Sequence, residues 1–323
     1  MMSRAVKKWL LRAGGSALAL VLIFHFLPKE AILEGFRRLT PGVFFGVLAA
    51  FLACHLAAAF KWWMLMGRAL PFAQALRAHF AGLAANLALP GAAGGDAVRA
   101  GLAHVRLKDG PRVAAAAVGD RLIDMVGLAC LSLLGLVFLS GRANATLAWS
   151  LAAIVIGGAV LALFVFPAVA RGLWARFPRL PAKGLGLRLA DAFGTLGRQP
   201  ALLLMALVLS MAIQAVLIWL SIRLAAAVGV DIPAAAWFFG WPIAKIIATL
   251  PLSLGGLGVR ESSLAALLVP FGASAPEVVA SGLAWQAILY LAGLLGALVL
   301  LISGGRLRTR EAISEPISTE TLP

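Results

Sequence analysis

Leu89-Pro90-Gly91-Ala92-Ala93-Gly94-Gly95-Asp96-Ala97-Val98-Arg99 and Leu250-Pro251-Leu252-Ser253-Leu254-Gly255-Gly256-Leu257-Gly258-Val259-Arg260 share six residues at one spacing: leucine, proline, two glycines, valine and arginine. Proline and paired glycines stop a helix and let the backbone turn tightly. A new helix is expected to open beyond each turn, with Arg99 or Arg260 in its first turn. Each stretch follows an apolar segment, 72–89 or 234–250, too interrupted to cross a membrane alone. Each is therefore predicted to be a re-entrant hairpin, broken at Pro90, Gly94, Gly95, Pro251, Gly255, Gly256 and Gly258.

Outward from these motifs lie six long apolar runs, at about 9–27, 42–63, 113–139, 147–169, 201–223 and 278–302. A bilayer-crossing helix needs about 20 mostly apolar residues, and each run has that length. The spacing repeats as well. The proline follows the start of an earlier span by 48 residues in the first half and 50 in the second. The next span begins 23 and 27 residues after it. The chain is thus read as an all-α polytopic membrane protein of six transmembrane helices and two re-entrant hairpins. Three full spans in each half make it an inverted repeat, as in secondary transporters, whose sites lie at the repeat interface. The first repeat is 1–169, with its motif at 86–99. The second is 170–305, with its motif at 245–261, and a short cytoplasmic tail follows at 306–323. Two ordinary loops between helices would need neither matched arginines nor matched spacing.

Composition points the same way. Of 323 residues, 62% are hydrophobic and 13% charged, with a mean hydropathy of +0.97. A soluble domain is about 45–50% apolar and about 25% charged, so a soluble fold is excluded. No stretch reads as an appended soluble domain, which excludes an enzyme built on a separate water-exposed catalytic domain. The net charge of +15 is mostly topology rather than a nucleic-acid signal. With the N-terminus inside, nineteen Lys and Arg fall on cytoplasmic segments, Lys61, Arg68 and Arg77 among them, against five outside. Both termini are therefore expected in the cytoplasm. Cys54 and Cys130 lie in apolar runs and read as packing residues. The basic N-terminus is read as a retained first span, because no small-x-small cleavage site follows it.

Charges at membrane depth carry the site. Asp96, Arg99, Asp120, Arg121, Asp124, Lys245, Arg260 and Glu261 are four acids and four bases. Each costs at least about 2.5–3.5 kcal/mol at the bilayer centre, so they need a polar cavity or a paired network. Arg99 and Arg260 at helix starts would offer a phosphate both a guanidinium and backbone N–H donors. Asp96 and Glu261 could instead neutralise them. Arg121 is expected to pair with Asp124, its i,i+3 neighbour. Lys245 reads as a headgroup contact or a partner of Asp120 or Asp124. Asn86 and Gln214 could add hydrogen bonds or join helices. His25 and His55 read as lone, buried imidazoles. No Ser/His/Asp order, nucleotide-binding loop or metal cluster is present, so no enzyme activity, cofactor or metal is expected.

These residues resemble the flippase-like membrane domain of lysylphosphatidylglycerol synthetases. The likeness rests on Asn86 to Gly91, Gly95 to Arg99, Asp120-Arg121-Leu122-Ile123-Asp124, and Pro251 to Glu261. It departs at Asp120, where the family usually has Glu, and in lacking the soluble aminoacyl-transferase domain. The resemblance implies a bacterial inner-membrane protein that moves an anionic or amphipathic envelope lipid between leaflets. Arg99, Arg260, Lys245 and Asn86 would bind the headgroup. Asp96, Asp120, Arg121, Asp124 and Glu261 would form a charge network. Two alternatives stand beside it: an accessory subunit of a lipid-modifying or glycan-synthesis enzyme, and an ion-coupled transporter of a small solute. A lipid route needs a lateral opening, whereas a small-solute route needs a closed cavity.

Overall fold

The computed structural model describes residues 27–88, 92–140, 167–177, 183–249 and 256–314, with isolated positions between them. The expected spans at 9–27 and 147–169 fall almost wholly outside these residues, as do Pro90, Pro251 and Gly255. Among the described residues the secondary structure is entirely helical. The helices are α1 (Lys29–Arg38), α2 (Pro41–Leu65), α3 (Phe72–Ala88), α4 (Ala92–Leu107) and α5 (Gly110–Ser140). They continue with α6 (Lys183–Gly197), α7 (Pro200–Val228), α8 (Ala234–Thr249), α9 (Val259–Leu268) and α10 (Ala275–Ser314).

Four of them are long and apolar enough to cross a membrane: Pro41–Leu65, Gly110–Leu139, Pro200–Val228 and Ala275–Ile302. At 1.5 Å per residue the shortest, of 25 residues, reaches about 38 Å, beyond the roughly 30 Å hydrocarbon core. Only 28–33% of each apolar window is buried in the protein, so the remaining apolar surface needs lipid. The helix ends follow from sequence. Pro41 and Pro200 sit in the first turns of α2 and α7, where a missing N–H leaves no donor unpaired. Gly229, at φ +109°, ends α7 in the left-handed conformation that glycine alone adopts cheaply.

The shorter helices α3 and α8 each pack against a long one. α3 packs on α10, and α8 packs on α5. Glycines allow both approaches. A Cβ on Gly296 would stand 2.6 Å from the Phe80 carbonyl oxygen of α3. A Cβ on Gly135 would stand 2.4 Å from the Phe239 nitrogen of α8, and Ser132 Oγ donates to the Phe239 carbonyl at 2.9 Å. α2 and α7 pack on each other at the centre. The main core joins α2, α7, α8, α9 and α10, with Trp237, Trp241 and Trp285 among its buried side chains. α1 and α6 sit at opposite ends of α7. Arg38 of α1 lies beside Gly229 and reaches Glu277 at 3.6 Å, while α6 ends three residues before α7 begins.

Two expectations are corrected here. Gly94 and Gly95 do not break the chain: they lie inside α4, which already starts at Ala92. The role of Gly95 is close packing, since a Cβ there would run into the Gly82 carbonyl of α3. Arg99 consequently sits two turns into α4 rather than in its first turn. In the second motif the described residues, from Gly256 on, turn and open a helix. Gly256 and Gly258 have φ of +81° and +82°, Gly258 caps α9, and Arg260 lies in its first turn.

Candidate functional site

α2, α3, α4, α5, α7, α8, α9 and α10 surround a cavity of about 270 Å³. It brings together Asn86, Arg99, Lys245 and Arg260, the four residues read as headgroup contacts. Asp120, Arg121 and Asp124 line it too. Asp96 and Glu261 are outside the lining and touch it through their arginines.

Lys61 organises one wall. It is only 2% exposed, and its ammonium meets Asp120 Oδ1 at 3.1 Å and also Asp124, which accepts a further hydrogen bond from Ser210. This corrects the sequence reading, which placed Lys61 among the cytoplasmic charges. Four apolar residues, Trp62 to Leu65, still follow it in α2, and they carry it inside.

Arg99 and Arg121 build the next layer. Arg99 Nη2 contacts Asp120 at 3.0 Å and Asp96 at 3.3 Å, with its guanidinium 4.5 Å from the Trp62 ring centre. Arg121 makes a two-pronged pair with Asp96, from Nε and Nη2 at 2.6 Å each. The expected Arg121–Asp124 pair is therefore replaced. α4 packs beside α5 and presents Asp96 to Arg121, and Lys61 claims Asp124.

The second motif is capped from within. Glu261 accepts the Gly258 N–H at 2.7 Å and binds Arg260, which also donates to Gln286 Oε1 at 3.1 Å. In the first motif Asn86 Oδ1 accepts the Gly95 N–H at 2.9 Å. Some of the helix-start donors expected to be free are thus already satisfied.

Lys245 differs from the other cations. Its ammonium donates to the neutral Gln214 Oε1 at 2.7 Å and lies 4.9 Å from the Trp241 ring centre. Among the described residues no carboxylate lies within ion-pair distance of it. The expected pairing with Asp120 or Asp124 is not made, because Lys61 holds both.

The sequence reading also missed a histidine pair. His55 is not alone: its Nδ1 lies 2.9 Å from His79 Nε2, and His79 Nδ1 faces Arg99 at 3.4 Å. A guanidinium can only donate, so His79 Nδ1 accepts and its Nε2–H donates to His55. His79 stands seven residues before Asn86, two turns back along α3, and that spacing is the signal that could have found it. Among the described residues no three His, Cys, Asp or Glu side chains converge as a metal site needs.

With this geometry in place, comparison identifies the family. The sequence matches the model described as the lysylphosphatidylglycerol synthase TM region over residues 9–297, and the chain belongs to that family of multi-pass membrane proteins. Only that membrane region is found, with no catalytic domain. No curated protein matches the chain.

Proposed function

We propose that the protein moves an anionic or amphipathic envelope lipid between membrane leaflets. The headgroup crosses through the cavity while the acyl chains stay in the bilayer. One observation carries this reading: the wall of a cavity lined by charged side chains also includes partly exposed apolar and aromatic residues, which we read as its opening toward lipid. Leu87 and Tyr290 line it and are 36% and 43% exposed. Tyr290 lies near the middle of the Ala275–Ile302 window, where the surroundings are hydrocarbon rather than water. The volume suits a headgroup. Sites that enclose a whole drug-sized ligand run to roughly 300–1,000 Å³. Such a lateral opening favours a lipid over a small solute.

The re-entrant, inverted-repeat architecture belongs to the same proposal. α8 and α9, of 16 and 10 residues, reach about 24 and 15 Å, short of the roughly 30 Å core. Equivalent partners exchange between the halves: α3 with α10, α8 with α5, and α2 with α7. That is the pattern a pseudo-two-fold axis produces. The proposal puts both termini in the cytoplasm of a bacterial inner-membrane protein, on the charge asymmetry of the loops; α1 and α6, at opposite ends of α7, then lie on opposite sides of the membrane. Arg99, held between Asp96 and Asp120, gives the network a side chain that can change partners as the site changes sides.

Reconstitution tests this. Vesicles carrying the protein should expose a labelled inner-leaflet lipid to an impermeant quencher about tenfold faster than protein-free vesicles. Equal rates, with rescue of a deletion strain intact, would favour the accessory role.

A further inference from the structure

We infer that the cavity is matched to a headgroup carrying a single negative charge, a phosphodiester, and that Lys245 is the residue that receives it. The inference rests on the lipid-translocase reading and deepens it by naming the substrate class.

The charges decide it. Lys61, Arg99, Arg121, Lys245 and Arg260 supply five positive charges at the cavity wall. Asp120, Asp124, Asp96 and Glu261 supply four negative ones, all in contact with those cations. Lys61 was the missing member that made the sequence count look neutral. With it the site carries one positive charge in excess, and Lys245 is the cation whose contacts are an amide and an indole rather than a carboxylate.

An uncompensated charge at membrane depth costs several kcal/mol, so a ligand that neutralises it is favoured over one that does not. A phosphodiester brings one negative charge and leaves the site neutral. A phosphomonoester brings between 1.5 and 2 at neutral pH, by the second ionisation near 6 typical of such groups, and overshoots. A zwitterionic headgroup, whose phosphodiester carries its own ammonium, brings no net charge and leaves the site with its positive excess. The surroundings suit a phosphate ester. Gln214 holds the ammonium from one side, and Gln286 and Asn86 can donate amide N–H to ester and hydroxyl oxygens without changing the count. Arg99 and Arg260 are already committed to carboxylates, so they shape the cavity and the lysine supplies the charge.

The test separates binding from transport. The detergent-purified full chain is incubated with phosphatidylglycerol, phosphatidic acid or phosphatidylethanolamine, and binding is read by native mass spectrometry. Phosphatidylglycerol should bind about tenfold better than either of the others. Lys245→Gln should erase its advantage over phosphatidylethanolamine, and Lys245→Arg should keep it, which guards against a merely unfolded variant. Equal binding of the singly charged and zwitterionic lipids would overturn the inference even if vesicles translocate lipid. Charge-selective binding without translocation would leave it standing and sink the translocase reading. Soluble glycerophosphoglycerol distinguishes the source. Competition at the lipid's own concentration would mark a small phosphodiester as the ligand and contradict the lipid assignment.

Discussion

Arg121 and Asp96 meet through two parallel hydrogen bonds of 2.6 Å, joining α5 to α4 across 25 positions of sequence. Such a fork fixes orientation as well as charge. Arg121→Ala should lower the melting midpoint of the purified protein, at a cost of about 2 kcal/mol, because Asp96 loses its closest partner. Adding Asp96→Asn should recover part of that loss, whereas adding Asp124→Asn should not. Recovery with Asp124→Asn alone would mean that the pairing is wrong.

Lys61 should be the least replaceable cation. It is buried between two carboxylates, and removing one member of a buried ion cluster costs about 3–5 kcal/mol. Lys61→Met is expected to reduce folded yield severely, with Lys61→Met/Asp124→Asn partly restored. Size-exclusion profiles of the two variants make the comparison. A monodisperse single variant at wild-type yield would argue against a buried lysine.

Glycine substitutions separate packing from breaking. Gly95→Ala would drive a methyl into the Gly82 carbonyl and the Asn86 side chain, overpacking that costs about 1–3 kcal/mol. Gly46→Ala meets nothing within 4 Å and should change stability by less than about 1 kcal/mol. Thermal unfolding in one detergent reads both. A Gly95→Ala protein as stable as Gly46→Ala would remove the close approach of α3 and α4.

Orientation is open to labelling. An impermeant maleimide added to intact cells should reach Lys29→Cys and leave Arg188→Cys unmodified. The two positions lie at opposite ends of α7, and both are exposed. Modification at Arg188→Cys would overturn the cytoplasmic placement of α6.

The sequence made the helical framework legible because the four long apolar runs admit no other stable arrangement in lipid. It also named the charged residues of the cavity apart from Lys61, since an ionised group at membrane depth must either pair or line water. What it could not give were partners across helices. Arg121 and Asp124 share a helix face at i,i+3, yet the closer acid came from α4, a relationship that no single-helix periodicity contains. Lys61 looked like a loop charge because it stands four residues from the end of α2. Gly94 and Gly95 looked like a break because glycine serves turns and helix interiors alike, and for Gly95 the close approach to Gly82 shows a packing role.

The most direct measurement asks whether lipid crosses beside Tyr290. Cys54 and Cys130, both buried, are first replaced by Ala, and Tyr290→Cys is introduced into that background. Headgroup exposure in vesicles is then timed for one preparation before and after reaction with a bulky maleimide. Translocation should persist in the unreacted protein and fall to the protein-free rate once the label fills the opening between α3 and α10. An unchanged rate in fully labelled protein would contradict the lateral route and the function built on it.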